Sequence, residues 1–134
     1  MKIISGKHKN RIIPTSKASE YRPTTAKLRE ALFSIIVSGE FFNSKPLDNA
    51  QTLDLFAGTG ILSFEALSRG AKNATLIDNN LEHLKLIKKF ADKIGEKNNI
   101  YCQLADASSL QKSNRKYNSV FSEPPSYNNL CVNS

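Results

Sequence analysis

The segment Asp54-Leu55-Phe56-Ala57-Gly58-Thr59-Gly60 places a carboxylate shortly before two closely spaced glycines. It follows a strand of the buried type and precedes an apolar helix, so it forms the loop of a strand-loop-helix unit. Glycines in such a loop let the backbone approach a ligand closely, and the first turn of the helix offers free N–H groups to its polar or anionic atoms. The pattern predicts a site for a nucleotide-like cofactor.

Two further carboxylates stand at predicted strand ends. Asp78 ends the second strand 18 residues after Gly60, about where a carboxylate accepts hydrogen bonds from ribose hydroxyls in such units, and Asp106 ends the third strand, where it could meet an adenine amino group. A strand-end Asp is often only a helix cap or a turn former. Because ligands of open α/β sheets bind along the carboxyl edge of the strands, the acids and the glycine loop together predict one pocket.

The spacing does not match a dinucleotide fold. A GxGxxG fingerprint would have its third glycine where this chain has Ser63, and its first glycine would fall earlier relative to the strand. The fingerprint for NAD is therefore absent.

The elements that position these residues alternate between strand and helix from residue 51, which is typical of an α/β fold with a parallel sheet. We predict strands at 52–56, 74–78 and 100–106, a fourth strand starting at 119, and helices at 61–69 and 80–94. The second helix directs five apolar residues inward: Leu84, Ile87, Phe90, Ala91 and Ile94.

A smaller unit precedes the sheet. Residues 2–4 and 11–13 flank a basic tip and predict a small β-hairpin, which would be an appendage to the main core. After Arg22-Pro23-Thr24-Thr25, a helix with an apolar face runs through Leu28, Ala31, Leu32, Ile35 and Ile36 and ends near residue 39. We expect two regions: residues 1–39, a basic extension of hairpin and helix, and residues 40–134, the cofactor-binding domain.

The net charge of +7 is concentrated at the start of the chain. Residues 1–30 carry eight Lys and Arg against Glu20 and Glu30, whereas the remaining 104 residues carry eleven basic against ten acidic side chains. A basic segment beside a near-neutral domain is the charge distribution expected of a protein that contacts a phosphate backbone. The alternative is a solvated basic terminus without a partner.

Composition excludes several other classes. A length of 134 residues with 40% hydrophobic residues suits one compact domain. Cys102 and Cys131 lie far apart without a CxxC pair or a His cluster, so neither a metal site nor a disulfide framework is expected. No segment approaches the roughly 18 apolar residues of a membrane span. We expect a soluble, cytoplasmic protein, most simply a monomer.

These residues also carry a family resemblance. Residues 54–60 resemble motif I of class I methyltransferases. The chain as a whole resembles the bacterial RsmD family, which methylates N2 of a guanine in small-subunit (16S) ribosomal RNA. The resemblance rests on Lys2-Ile3-Ile4-Ser5-Gly6-Lys7, Arg22-Pro23-Thr24-Thr25, Arg29-Glu30-Ala31-Leu32-Phe33 and Phe64-Glu65-Ala66-Leu67-Ser68-Arg69-Gly70-Ala71. It implies a Rossmann-like class I methyltransferase sheet, with parallel strands and helices on both faces.

The resemblance also implies the cofactor and the residues around it. The cofactor is S-adenosyl-L-methionine, and motif I, including Asp54, Phe56, Gly58 and Gly60, would hold its methionine moiety. Asp78 would hold the ribose, and Asp106 with Ala107 the adenine. The substrate is ribosomal RNA or the small ribosomal subunit, and the candidate RNA contacts are Lys7, Lys9, Arg11, Arg22 and Thr24.

The family carries Asp/Asn-Pro-Pro-Tyr/Phe after its fourth strand, where this chain has Glu123-Pro124-Pro125-Ser126. In the family, a side chain and a prolyl carbonyl accept the two hydrogens of the guanine amine, and an aromatic ring stacks on the extruded base. Glu123 is one methylene longer than Asp, and Ser126 cannot stack. Tyr127 is the nearest aromatic residue, and the catalytic candidates are Glu123, Pro124, Pro125 and Tyr127.

The end of the chain departs from the family as well. The family's sheet continues with three further strands, whereas residues 128–134 are polar and without a pattern. We therefore expect a fold truncated at its C-terminus, in which the fourth strand is an exposed edge.

Three functions fit these observations. The first is an RNA guanine-N2 methyltransferase that uses S-adenosylmethionine. The second is a catalytically impaired remnant that retains only cofactor or RNA binding. The third is a general nucleotide-binding α/β domain with a regulatory role, which binding of NAD without S-adenosylhomocysteine would indicate.

Overall fold

The computed structural model describes residues 2–14, 31, 47–106, 117, 119–122 and 131–133. Within them, strands β1 to β5 are Gln51–Asp54, Asn73–Asp78, Ile100–Leu104, Ser119–Ser122 and Cys131–Asn133. Helix α1 spans Ile61–Ser68, helix α2 spans Leu81–Lys93, and a 3₁₀ turn spans Lys97–Asn99. From residue 51 to residue 122, the predicted order of strands and helices is confirmed.

The strands form one sheet with the order β3-β2-β1-β4-β5. Strands β1 to β4 are mutually parallel, as predicted, and β1 lies between β2 and β4. The chain moves outward from β1 through β2 to β3 and then returns to the other side of β1. Ligands of sheets with such a reversal bind at the carboxyl end of the strands next to it, which here is the end of β1. The fold is Rossmann-like.

The fourth strand is not an edge, contrary to the expectation. Residues Cys131–Asn133 form β5 and pair antiparallel with β4, with Phe121 opposite Val132. Residues 128–134 show no pattern in the sequence, and β5 was not predicted because three residues are too few to show an alternation. The partner of β5 is β4, about ten residues earlier in the chain, whose free backbone N–H and C=O groups form the pairing.

Both described helices cover the same face of the sheet. The crossovers β1-α1-β2 and β2-α2-β3 run in one direction, and right-handed connections then place both helices on one side. On this side, Thr52 and Leu76 are fully buried. In the opposite row Leu53 is half-buried and Tyr101 is 44% exposed. Helices on the second face were predicted too, and they would lie outside the described residues.

Two strands are shorter than predicted, for identifiable reasons. β1 ends at Asp54 because the Asp54 side chain accepts the N–H of Phe56 and turns the chain. β3 ends at Leu104 because Leu104 is paired with Asp78, the last residue of β2.

Helix α2 follows its sequence pattern. Asn80 caps it by accepting hydrogen bonds from the N–H groups of Glu82 and His83. The predicted inward residues Leu84, Ile87, Phe90, Ala91 and Ile94 are all buried. The rings of Phe90 and Phe64 meet edge to face with centroids 4.9 Å apart, which joins α2 to α1 in the core.

Residues 2–14, the N-terminal hairpin, belong to the core and are not an appendage. Lys2 and Ile12 form an antiparallel bridge, and the N–H of Asn10 donates to the carbonyl of Ile3. Ile3 and Ile13 are 0% and 2% exposed and join the same hydrophobic cluster as α1 and α2. The two short apolar runs at 2–4 and 11–13 predict the hairpin, but they do not indicate the surface that it packs against.

The predicted helix over residues 28–36 lies mostly outside the described residues. Ala31 is helical, in agreement with that prediction, and it is exposed.

Candidate cofactor site

The glycine loop makes a tight bend between β1 and α1. Gly58 and Gly60 adopt positive φ angles of 56° and 82°. The N–H of Gly60 donates to the carbonyl of Ala57 at 2.8 Å. A Cβ on Gly60 would lie 2.9 Å from Cε2 of Phe64 and 3.1 Å from Cγ1 of Ile87. Glycine is therefore required at position 60 both for the backbone angle and for the packing of the loop against the helices.

Asp78 joins the end of β2 to this loop. Its Oδ2 accepts a hydrogen bond of 2.8 Å from the N–H of Gly58, and its Oδ1 accepts one of 2.8 Å from the N–H of Asn80. The residue is 9% exposed. As predicted from the sequence, Asp78 and the glycine loop lie together at one edge of the sheet.

Asp54 lies at the start of the same loop. It is 2% exposed, and its Oδ1 accepts the N–H of Phe56 at 3.1 Å. Phe56 is half-buried. The carboxylate at the end of β1 therefore shapes the first turn of the loop.

His83 also lies at the candidate site, and it was not predicted from the sequence. It lies in the first turn of α2, is 6% exposed, and its Nδ1 is 3.3 Å from Oδ1 of Asp78. Its position three residues after the Asn80 cap directs the ring toward Asp78. A His at the start of the helix that follows a strand-end acid was the available signal.

Asp106 follows β3 at the same edge. The N–H of its neighbour Ala105 donates to the backbone carbonyl of Asp78 at 3.0 Å, so the chain leaves β3 next to Asp78. Asp106 is exposed. Ala107 lies outside the described residues, as do the catalytic candidates Glu123, Pro124, Pro125 and Tyr127.

The candidate RNA contacts of the hairpin lie near the C-terminal ends of α1 and α2, whereas the candidate cofactor site lies near their N-terminal ends. Lys7, Lys9 and Arg11 are exposed. The Nζ of Lys7 is 3.3 Å from Oε2 of Glu96, which follows the C-terminus of α2. Arg22 and Thr24 lie outside the described residues.

Two residues of α1 anchor the hairpin, and neither was predicted. Glu65 is fully buried, and its carboxylate accepts the N–H groups of Ile4 at 2.9 Å and Ser5 at 3.2 Å. The carbonyl of Ser68 accepts the N–H of Lys7 at 2.9 Å. A Cβ on Gly6 would lie 1.9 Å from that carbonyl oxygen. Two of the segments that carried the family resemblance, 2–7 and 64–71, are thus joined directly.

Glu96 fixes the tip of the hairpin to the C-terminal end of α2. It is 3% exposed, and Nε2 of His8 and Nδ2 of Asn99 each lie 2.9 Å from its carboxylate. Burial raises the pKa of Glu96, but the hydrogen bonds with Asn99 and His8 and the charge of Lys7 outweigh it, so the pKa lies below its ordinary value. The carboxylate is therefore held in its ionised form.

Comparison with known proteins places the chain in a family. The sequence model of the family described as "Conserved hypothetical protein 95" matches residues 1–134. The chain belongs to this family, the RsmD family. The expectation drawn from the motifs is thereby confirmed.

Named relatives agree with the family. An uncharacterized methylase of Rickettsia prowazekii is 53% identical over 116 residues, which are 86% of this chain and 49% of that protein. Ribosomal RNA small subunit methyltransferase D of Escherichia coli K12 is 35% identical over 127 residues, covering 93% of this chain and 60% of that protein. The chain thus spans about half to three fifths of the length of these two relatives.

Solved structures agree in fold. The yhhF protein of Escherichia coli superimposes with a TM-score of 0.69 at 33% identity, over 81% of this chain and 55% of that one. A Thermus thermophilus protein gives a TM-score of 0.65 at 26% identity, over 78% and 55% of the two chains. The sheet is that of a class I methyltransferase.

Neither a membrane span nor a metal cluster is found in the part of the chain that the structure describes. Its helices are too short or too polar to cross a membrane. In the same ranges, no three His, Cys, Asp or Glu side chains are grouped as metal ligands would be.

Proposed function

We propose that this chain is the S-adenosylmethionine-binding part of a methyltransferase that acts on the N2 amino group of a guanine in small-subunit ribosomal RNA. One observation carries the proposal. The carboxylate of Asp78 contacts the glycine loop at Gly58, in a chain that is 35% identical to a ribosomal RNA small subunit methyltransferase. The loop and the acid are the two parts that a nucleoside cofactor requires at this edge of the sheet.

The described residues fit this cofactor. A carboxylate offers about four acceptor positions, and the hydrogen bonds from Gly58 and Asn80 with the contact to His83 account for three, which leaves Asp78 able to accept a ribose hydroxyl. Gly58 and Gly60 have no side chains that could keep a ligand from the loop backbone. Asp54 and Phe56 would flank the methionine end, and Asp106 with Ala107 the adenine.

When bound, the cofactor supplies an activated methyl group on a positively charged sulfur. The residues of the chain position the acceptor. Glu123 and the carbonyl of Pro124 would accept the two amine hydrogens of the guanine, which frees its lone pair for attack. Pro125 would hold this turn in shape, and Tyr127 would stack on the extruded base in place of the family's aromatic residue.

The N-terminal region, residues 1–39, would contact the RNA backbone. Lys7, Lys9 and Arg11 on the hairpin, together with Arg22 and Thr24, are the proposed contacts, and residues 40–134 form the cofactor-binding domain. The proposed substrate is ribosomal RNA or the small subunit that contains it. A cytoplasmic location fits this substrate. A monomer suffices for these roles.

The direct test is transfer of a tritiated methyl group from S-adenosylmethionine to small ribosomal subunits isolated from a strain lacking the corresponding methylation. The proposal predicts label in the RNA, located at guanine N2 after nucleoside digestion, and no label on fully methylated subunits. Binding of S-adenosylhomocysteine is measured in parallel. Label at another base, or at protein, would contradict the proposed substrate.

A second candidate, a remnant that binds cofactor or RNA without turnover, is favoured by two residue differences. Glu123 stands where the family has Asp or Asn, and Ser126 stands where it has an aromatic ring. Such stacking is worth about 1–3 kcal/mol per base. Binding of S-adenosylhomocysteine without any label in the RNA would select this candidate over the enzyme.

A further inference from the structure

The hairpin and the candidate cofactor site lie at opposite ends of α2. Asp78 and His83 are at the start of the helix, whereas Lys7 and His8 contact Glu96 just beyond its end. Thirteen residues of α-helix span about 20 Å. A basic tip at that distance cannot by itself guide an RNA strand to the cofactor edge.

A groove lies along the C-terminal half of α2. It has a volume of about 650 Å³ and runs between the second strand of the hairpin and α2. Its residues are Ile12, Pro14, Leu86, Lys89, Phe90, Asp92 and Lys93. The volume lies within the range of about 300–1,000 Å³ that is usual for small-molecule sites.

The floor and one lip of the groove are apolar. Phe90 is 3% exposed and is held in place by its ring contact with Phe64. Ile12, on the hairpin side, is 71% exposed and is the most exposed large apolar side chain among the described residues. Ile12 is an apolar side chain on an otherwise basic hairpin. Covering it with a flat apolar surface removes apolar area from water, which is favourable.

The rim of the groove is mainly basic. Lys89 and Lys93 are one helical turn apart on α2, about 6 Å along its axis. Lys85 continues this row toward the cofactor end, and Arg11 precedes Ile12 on the hairpin; all are exposed. Asp92 is the one acidic residue of the lining. The charges therefore favour an anionic partner.

We propose that this groove binds an unpaired nucleotide of the RNA, with the base against Ile12 and Leu86 and the flanking phosphates at Lys89 and Lys93. Single-stranded RNA combines apolar base faces with backbone charge, which matches an apolar floor beneath basic side chains. The groove would then carry the strand along α2 from the hairpin toward the cofactor edge. This inference rests on the proposed function for the identity of the ligand.

The test uses the full chain and a mixed-sequence single-stranded RNA of twelve nucleotides, with the matching RNA duplex as a second probe. Binding is followed by fluorescence anisotropy over a salt series. Ile12→Glu places a charge in the groove at an exposed position and should weaken binding of the single strand about tenfold or more, with a smaller effect on the duplex. Lys89→Ala should lower the salt slope by about 0.7, whereas Lys72→Ala, an exposed lysine between α1 and β2, should leave it unchanged.

The affinity for S-adenosylhomocysteine separates this inference from the proposed function. It should be the same in Ile12→Glu and in the unmodified chain. If Ile12→Glu binds the single strand as tightly as the unmodified chain does, or loses single strand and duplex equally, the groove is not a nucleotide site. If the unmodified chain does not bind S-adenosylhomocysteine, the result instead overturns the proposed function.

Discussion

The carboxylate of Asp78 accepts a hydrogen bond of 2.8 Å from the backbone N–H of Gly58, across 20 residues of sequence and two strands of the sheet. The contact is buried, so water competes little for the N–H of Gly58 or the carboxylate of Asp78. It holds the glycine loop against the end of β2 before any ligand binds. A cofactor at this edge would therefore meet a loop that is already positioned, which reduces the entropy lost on binding.

His83 should position Asp78 for the cofactor. Replacing His83 with Phe removes the contact to Oδ1, and we expect an affinity for S-adenosylhomocysteine about three- to tenfold lower, the value of one hydrogen bond. His83→Asn can place an amide N–H near the position of Nδ1 and should retain most of the affinity. Both affinities are measured by calorimetry.

An analogue without ribose hydroxyls separates positioning from general loss of structure. The 2′,3′-dideoxy form of S-adenosylhomocysteine should bind His83→Phe and the unmodified chain equally. If both ligands lose the same factor, His83 acts on the fold and not on Asp78.

Gly6 should be much less tolerant of a side chain than Gly95, although both have positive φ angles, of 93° and 79°. A Cβ on Gly6 would lie 1.9 Å from the Ser68 carbonyl oxygen, whereas a Cβ on Gly95 meets nothing within 4 Å. We expect Gly6→Ala to lower the free energy of unfolding by about 2–4 kcal/mol and Gly95→Ala by about 1 kcal/mol. Urea denaturation measures both. Equal losses would mean that the hairpin is not docked on α1.

The fold beyond the sheet edge illustrates what sequence could and could not predict. The glycine loop and Asp78 were predictable, because the strand and helix pattern places both at one edge. Glu65 and Ile4 are 61 residues apart, and Glu96 and His8 are 88 apart, so no local pattern relates them. Strand β5 is too short to show periodicity, and it is a strand only because it pairs with β4.

Glu96 should make the stability of the hairpin depend on acid pH. Its pKa is lower in the folded chain than its ordinary value of 4.5. The stabilisation is therefore complete above the pKa of the unfolded chain and is lost as the pH falls from about 4.5 through the folded value. The difference in free energy of unfolding between the unmodified chain and Glu96→Gln should be larger at pH 7 than at pH 3. A difference that does not change with pH would exclude the ionised carboxylate as its source.

The basic residues of the hairpin should contribute unequally to RNA binding. Lys9→Glu and Arg11→Glu should each reduce the salt slope by about 0.7–0.9, the value of one phosphate contact. Lys7→Glu should reduce it by less, because Lys7 is paired with Glu96 at 3.3 Å and its charge is partly compensated. Filter binding to the ribosomal RNA over a salt series measures the slopes. Three unchanged slopes would show that the hairpin is ordinary surface.

The contact between Asp78 and Gly58 is most directly tested by calorimetric titration of S-adenosylhomocysteine into the unmodified chain and into Asp78→Ala, with NAD as the control ligand. We expect one site per chain and no binding of NAD. The affinity should be about 10- to 150-fold lower in Asp78→Ala because a hydrogen bond to a charged group is lost. Binding of NAD alone, or equal affinity of the two chains for S-adenosylhomocysteine, would contradict these expectations.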